Sequence, residues 1–150
     1  MTCTDGFEGS DKVFLFEFTM PLDGTRGFNA DMPALWFLNA RIPLTQQYGA
    51  CSCWPACGEV DIFEVLDSGD IKCKSTVHSN VPGGASDWFA RPTNAPVKAA
   101  AIFDGETGSI SVRVLPADTD FGAALSRSVV ESWVQGDNSP TSSHFVVGGY

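Results

Sequence analysis

Basic side chains are scarce in this sequence of 150 residues, which has nine lysines and arginines against 18 aspartates and glutamates. The formal net charge is −9, and no cluster of Lys and Arg offsets it. This charge argues against nucleic acid or an anionic lipid surface as a partner, because both would be repelled. We therefore expect a neutral or cationic substrate. Only 18% of the residues are charged and 43% are hydrophobic, a composition that argues against disorder.

Long apolar runs are also missing. No stretch approaches the roughly 20 apolar residues that a membrane-spanning helix needs, so we expect no membrane insertion. The first residues, Met1–Asp5, lack the basic and apolar regions of a signal peptide, so export is not visible in this sequence. Internal repeats and low-complexity linkers are absent as well, and we predict a single domain over residues 1–150.

Cysteine occurs an odd number of times, five, and three of the five fall within residues 51–57. Two interpretations stay open: the cluster and Cys73 form disulfides that pin a loop in an oxidising compartment, or thiolates bind Zn²⁺. The usual Cys-x-x-Cys spacing of zinc knuckles is absent and neither His follows at finger spacing, which favours disulfides. We expect no metal and no other cofactor. The leftover thiol predicts a partner cysteine outside these residues.

Glycine and proline separate many short apolar runs, a pattern that predicts an all-β sandwich or barrel. The predicted strands are residues 13–20, 34–38, 59–66, 74–78, 99–103, 110–115, 129–134 and 145–147. The sequence Asp-Gly-Glu-Thr-Gly at 104–108 predicts a hairpin turn. Residues 39–58 form a connection long enough to be the wall or lid of a site. Its planar and hydrogen-bonding side chains suit a sugar ring: Arg41, Gln46, Gln47, Tyr48 and Trp54.

Three acids stand close together on one predicted strand: Glu59, Asp61 and Glu64. Side chains alternate on a regular strand, so Glu59 and Asp61 would share a face while Glu64 would point to the apolar side. An ionised carboxylate without a partner there would cost several kcal/mol. A β-bulge near Ile62 and Phe63 removes the conflict, because one extra residue restores the phase. We therefore predict a bulge that brings all three acids to one cleft.

Three carboxyls at such a range cannot all ionise freely, so at least one pKa should be raised. A carboxyl pair with separated pKa values is what cleavage of a glycosidic bond requires. Two side chains that lean together along one face fit the separation of ~5–5.5 Å found in retaining glycosidases. The spacing alone is also compatible with a solvated acidic edge strand, but the apolar residues between the acids argue against that alternative.

Three motifs occur in order: Pro33-Ala34-Leu35-Trp36, the segment 58–64, and Ser75-Thr76-Val77-His78. Together they resemble the laminarinase branch of glycoside hydrolase family 16. The similarity is closer to the fungal cell-wall group of target-of-SBF-like glycosyl hydrolases, through residues 33–43, 47–49, 51–54 and 73–76. The resemblance implies a concanavalin A-like β-jelly-roll that is secreted to the fungal cell wall. It also implies endo-hydrolysis of β-1,3-glucan with retention of configuration.

The resemblance also implies roles for single residues. Glu59 matches the nucleophile, and Glu64 matches the acid that protonates the leaving oxygen and then activates water. Asp61 matches the residue that orients Glu59. Trp36 matches an aromatic position near the cleft floor, and His78 matches a histidine on the neighbouring strand that faces the acids.

The remaining tryptophans are assigned from their surroundings. Trp54 and Trp88 stand in segments rich in Gly, Pro and Ser and are candidate sugar platforms, whereas Trp133 is expected in the core. Members of the resembling family are longer, so N-terminal strands, and with them part of a cleft wall, are expected to be missing. A glucan transglycosylase and a non-catalytic glucan-binding wall module stay open as alternatives.

Overall fold

The computed structural model describes residues 6–82, 88–134 and 139–148. The strands in this part of the chain form two antiparallel four-stranded sheets, with little helix. The first sheet has the order β1-β6-β7-β8 and the second has the order β2-β3-β4-β5. The elements are β1 (Lys12–Phe18), β2 (Ala34–Leu38), β3 (Glu59–Glu64), β4 (Lys72–His78), β5 (Trp88–Ala90), β6 (Val97–Asp104), β7 (Ser109–Leu115), α1 (Arg127–Val134) and β8 (Ser142–Val146). The all-β prediction is confirmed at this level, and a jelly-roll connectivity stays a prediction.

The two sheets pack face to face around one apolar core. Phenylalanines alternate along β1, and Phe14 and Phe18 from its inner face meet Phe37 and Phe63 of the second sheet with ring centroids 4.4 and 5.3 Å apart. The buried core draws on both sheets: Val60, Ile62, Phe63, Cys73, Val77 and Phe89 from the second, and Ala99, Ala101, Ile110, Val112 and Phe145 from the first. This shared core holds the second sheet in place and leaves its opposite face available for a site.

The predicted hairpin at 104–108 is confirmed between β6 and β7, which pair in register from Lys98 and Leu115 to Asp104 and Ser109. The Asp104 carboxylate accepts hydrogen bonds from two turn amides, those of Glu106 and Thr107. Gly108 has a φ of 61°, a conformation that glycine adopts without steric cost. The turn that Asp104 and Gly108 predict is therefore the turn that forms.

The prediction of a strand at 129–134 is wrong, because α1 occupies these residues. Ser126 caps the helix by accepting a hydrogen bond from the Val129 amide. Val130, Trp133 and Val134 follow the helical i, i+3, i+4 spacing and pack on the outer face of the first sheet, against Leu15, Ala100, Ile102 and Leu115. Trp133, expected in the core, is only partly buried there. Packing against the sheet has overridden the strand preference of Val.

The other strand predictions differ from the structure mainly in their ends. Residues 34–38 match β2, whereas the predicted strands at 13–20 and 59–66 end two residues earlier, at Phe18 and Glu64. The short strand β5 was not predicted, so the assignment of Trp88 to a loop is wrong. None of the helices that the structure describes is long and apolar enough to cross a membrane.

A buried ion pair fixes the connection before β2. The Arg91 side chain is fully buried, 2.5 Å from the Asp31 carboxylate, and this hydrogen bond holds the pKa of Asp31 below its ordinary value. The same guanidinium donates to the main-chain oxygens of Met20, Pro21 and Asp70. Such a charge is tolerated inside because every side of it meets an acceptor.

Candidate active site

The acidic strand β3 is irregular at the predicted place. Against β2, Phe63 pairs with Leu35 and Asp61 pairs with Trp36, which leaves Ile62 without an opposing residue. Ile62 and Phe63 therefore both point into the core, where they are 0% and 1% exposed. One residue has been inserted into the alternation, as expected of a β-bulge.

The neighbouring strand β4 shows the same bulge. Between Asp61 and Glu64, which both have partners on β4, that strand supplies a single residue, Ser75. The buried Ser75 hydroxyl donates a hydrogen bond to the main-chain oxygen of Ile62, the residue that the bulge inserts. The predicted bulge is confirmed, and with it Glu64 rejoins the face of the sheet that carries Glu59 and Asp61.

This face, the outer face of the second sheet, carries further residues named from the sequence. Trp36 lies directly opposite Asp61 on β2, and His78 lies directly opposite Glu59 on β4. Trp36 is 44% exposed and is not a core residue. An exposed indole beside a row of carboxyls offers an apolar surface on which a sugar ring can lie.

Burial and mutual repulsion raise two carboxyl pKa values. The pKa of Asp61 is raised to about 7, first by desolvation and then by the charges of Glu64 and Glu59, with His78 opposing them. The pKa of Glu64 is also raised, chiefly by desolvation and also by the charge of Glu59. At least one raised pKa is what the crowding of three acids predicts. The site therefore favours the protonated form of these two carboxyls more than water does.

His78 contacts two of the three acids. Its Nε2 lies 3.2 Å from Asp61 Oδ2 and 3.9 Å from Glu59 Oε1. The imidazole ring also contacts the ring of Trp54, with centroids 5.8 Å apart. His78 therefore connects the acids to the long loop before β3.

The loop at 39–58 has no strand, as predicted, and is closed at its base. Asn39 donates its main-chain N–H to Gly58 and its side-chain amide to the oxygen of Cys57. Gly58, with a φ of 105°, turns the chain directly before Glu59. A Cys53–Cys57 disulfide ties the same end of the loop. These bonds set where the loop meets the acids.

The disulfide interpretation is thus confirmed for one pair and wrong for Cys73. Cys73 is a fully buried core residue with its Sγ 3.7 Å from the Phe89 oxygen, and burial raises the pKa of its thiol to about 12. Cys51 is a free and exposed thiol. Cys3 lies outside the described residues. Since two of the three clustered cysteines are joined to each other, the cluster does not offer the thiolates of a zinc site.

The loop brings Gln47 to Glu59 and Trp54 to His78. The side-chain amide of Gln47 donates a hydrogen bond to Glu59 Oε2. Tyr48 packs edge-on against Trp54, with centroids 4.7 Å apart, and Trp54 in turn contacts His78. From the sequence, Gln47 is predicted only as one of several side chains suited to a sugar ring. The contact of Gln47 with Glu59 has no signature in spacing, because eleven residues of irregular chain lie between the two.

Trp88 lies farther from the acids than Trp36 does, since β4 separates β5 from β3. Its ring is 38% exposed, and the ammonium groups of Lys72 and Lys74 lie 4.5 and 5.3 Å from the ring centroid. These cation–π contacts occupy ring surface that a sugar would need. Trp88 is therefore a weaker candidate platform than Trp36.

Glu59, Asp61 and His78 form the one group in the described residues whose donor atoms, all within 4.8 Å of one another, invite comparison with a metal site. Ligands about 2.0 Å from a tetrahedral ion lie about 3.3 Å apart. The 3.9 Å between His78 and Glu59 is wider, and Gln47 already binds the other Glu59 oxygen. The arrangement fits a network of hydrogen-bonded side chains better than a metal centre.

The known proteins that this chain resembles are fungal. The family described as "Cell wall protein YJL171C/Tos1, C-terminal" matches residues 1–133. A Saccharomyces cerevisiae protein named probable circularly permuted 1,3-beta-glucanase TOS1 is 46% identical over 138 residues, covering 89% of this chain and 30% of that protein. A probable circularly permuted 1,3-beta-glucanase of Arthroderma benhamiae is 48% identical over 125 residues, covering 77% and 28%.

The chain therefore spans less than a third of the length of these relatives. No solved structure matches it significantly. The family match covers most of the chain, including the acidic strand, the long loop before it and His78. The chain belongs to the family of the cell wall protein YJL171C/Tos1, C-terminal region.

Proposed function

We propose that this chain carries the catalytic carboxyls of a retaining endo-hydrolase of β-1,3-glucan, secreted and active in fungal cell-wall remodelling. The observation that carries the proposal is the bulge in β3, which puts Glu59, Asp61 and Glu64 on one face of the second sheet. The names of the relatives, probable 1,3-beta-glucanases of a cell-wall family, support the substrate class. A relation to glycoside hydrolase family 16 is part of the proposal.

In the first step, Glu59 attacks the anomeric carbon as its bond to the leaving oxygen breaks. Glu64 donates a proton to that oxygen, so the leaving chain departs as an alcohol. The raised pKa of Glu64 supports this assignment, because a general acid must hold its proton at the working pH. The product of the step is a glycosyl ester on Glu59.

In the second step, Glu64 is a carboxylate and takes a proton from water. The water oxygen attacks the anomeric carbon and releases the Glu59 carboxylate, so two inversions give net retention. A sugar hydroxyl in place of water would give transglycosylation by the same residues. The β-glucan transglycosylase is therefore the alternative that shares this mechanism.

Asp61, Trp36 and His78 assist the pair. With a pKa of about 7, Asp61 holds a proton at mildly acidic pH and can donate it in a hydrogen bond to Glu59. His78 contacts Asp61 and limits its rotation. Trp36, exposed beside Asp61, provides the stacking surface.

The test incubates the 150-residue chain with laminarin and counts new reducing ends. Glu59→Gln and Glu64→Gln should each lower kcat at least about 100-fold, because each removes a group that handles a bond or proton in the reaction. Glu17→Gln is the matched control, since Glu17 is exposed on β1 of the other sheet. Equal low release by wild type and both variants, with glucan still bound, would instead favour the non-catalytic wall module.

The stereochemical outcome is a separate test. Proton NMR of the first products should show the β-anomer before mutarotation, and early appearance of the α-anomer would contradict Glu59 as nucleophile.

A further inference from the structure

The contact between Gln47 and Glu59 joins the irregular loop to the acid that is assigned the attack. Gln47 is half-buried and its amide nitrogen donates to Glu59 Oε2, while Oε1 of the same carboxyl faces His78 at 3.9 Å. One oxygen is thus held by a donor and the other is more weakly engaged. A carboxylate held by one oxygen has a fixed plane, which leaves the second oxygen aimed in one direction.

Loop closure does not depend on Gln47. The two ends of the loop are joined by the two hydrogen bonds of Asn39, and the Cys53–Cys57 disulfide closes its last turn, whereas Gln47 lies near the middle of the loop. The contact between Gln47 and Glu59 is therefore not needed to close the loop, and its main effect is on the orientation of the Glu59 carboxyl.

The donor is neutral in a crowded ionic site. Glu59 is faced by the titratable groups of Asp61 and Glu64 on its own strand and of His78 on β4. On β2, Leu38 lies opposite Glu59 and Trp36 lies opposite Asp61, and neither side chain carries a charge. An amide donates N–H without adding a charge or a transferable proton, so it can hold an ionised Glu59 while protons remain on the neighbouring acids.

We propose that Gln47 is the positioning residue of the nucleophile: its amide holds Glu59 Oε2 so that Oε1 meets the anomeric carbon. This inference rests on the proposed hydrolase function and names a residue that acts through Glu59. Its contribution lies in orientation, which is worth most in the transition state, so it should show in kcat more than in KM.

The test compares Gln47→Leu with Gln47→Glu in this chain, with laminarin, from about pH 4 to about pH 8. Gln47→Leu should lower kcat about 10- to 100-fold at every pH, with KM changed less than about twofold. Gln47→Glu should be active only on the acidic side, because a protonated carboxylic acid can donate to Glu59 and an ionised one repels it. Its pH optimum should therefore be lower than that of the wild type. Asn94→Leu, at an exposed amide between β5 and β6, is the control.

Two kinetic outcomes would overturn the inference. A rise in KM at constant kcat would make Gln47 a sugar ligand. Equal losses in both variants at all pH values, with a lowered melting temperature, would make it a structural residue.

A readout without turnover separates this inference from the function on which it rests. The side-chain amide proton of Gln47 should shift in a ¹H–¹⁵N spectrum when Glu59 is replaced by Gln. If the wild-type protein has no turnover, the proposed hydrolase function is contradicted. The amide signal then still tests whether Gln47 contacts Glu59. An unchanged Gln47 amide signal in the Glu59→Gln variant would overturn the inferred contact between Gln47 and Glu59.

Discussion

Asp61 shows how the site affects the folded chain at the scale of a residue. Its carboxyl has a pKa of about 7 in the fold against an ordinary 3.8, because burial and two neighbouring acids oppose its charge. The unfolded chain therefore gives up this proton from about pH 4 upwards, while the folded chain keeps it until about pH 7. Ionisation thus favours the unfolded state across this window, and the stabilising effect of the proton is present at low pH and lost as the pH rises.

We predict that the free energy of unfolding falls by about 2–4 kcal/mol between about pH 4 and about pH 7. The Asp61→Asn variant should lose much of this pH dependence, because it has no carboxyl to ionise at that position. Urea denaturation at several pH values is the measurement. Asp67→Asn, at an exposed position, should leave the slope as in the wild type. An Asp61→Asn variant with the wild-type slope would show that this carboxyl is not protonated in the fold.

The strand β3 shows which features of an element a sequence can predict. A phase conflict between three acids and the apolar residues among them required a bulge near Ile62, and the structure has it there. The conflict is local, so it could be recognised without knowing any partner strand. The same local logic found the turn at 104–108, where Asp and Gly supply the chemistry.

Features that depend on distant partners were missed. The three residues of β5 become a strand only because β4 pairs with them. Residues 129–134 become a helix because one face packs on the first sheet, although Val favours strands. The contact of Gln47 with Glu59 depends on how an irregular loop closes. The helix alone had a local signal, the i, i+3, i+4 spacing of Val130, Trp133 and Val134 after the Ser126 cap, and it was outweighed by the strand preference of Val.

The bulge itself offers a test with a matched pair of serines. Ser75 and Ser143 are both buried, but the Ser75 hydroxyl donates to the Ile62 oxygen at the bulge, whereas Ser143 Oγ has no hydrogen-bond partner in the described residues. We predict that Ser75→Ala costs about 1–2 kcal/mol of unfolding free energy, because it leaves a buried acceptor without its donor. Ser143→Ala should be neutral or stabilising, since it removes an unsatisfied buried group. Urea denaturation of both variants compares them.

Ser75→Ala should also lower laminarin hydrolysis, since a relaxed bulge would move Glu64 away from Glu59. Equal stability and equal activity of the two serine variants would show that the hydroxyl does not support the bulge.

The whole molecule uses the outer faces of its two sheets differently. Helix α1 packs on the outer face of the first sheet, whereas the outer face of the second sheet carries the acids, Trp36 and His78. Sheet order could not be predicted, because β1 pairs with β6 across about 80 residues of chain. The excess of acids, 18 against nine bases, agrees with the acidic outer face of the second sheet, and the neutral or cationic substrate expected from it stays a prediction.

The net charge of −9 leads to a prediction about binding. A neutral glucan has no charge to interact with this field, so its affinity should depend on stacking and hydrogen bonds, which salt hardly screens. With the Glu59→Gln variant, to prevent turnover, laminarin affinity should change less than about twofold from about 0.05 M to about 0.5 M NaCl. Binding of chitosan fragments, which are cationic, should weaken strongly over the same range because the attraction is electrostatic. Laminarin binding that weakens as steeply as chitosan binding would mean that ionic groups, and not Trp36 and its neighbours, hold the sugar.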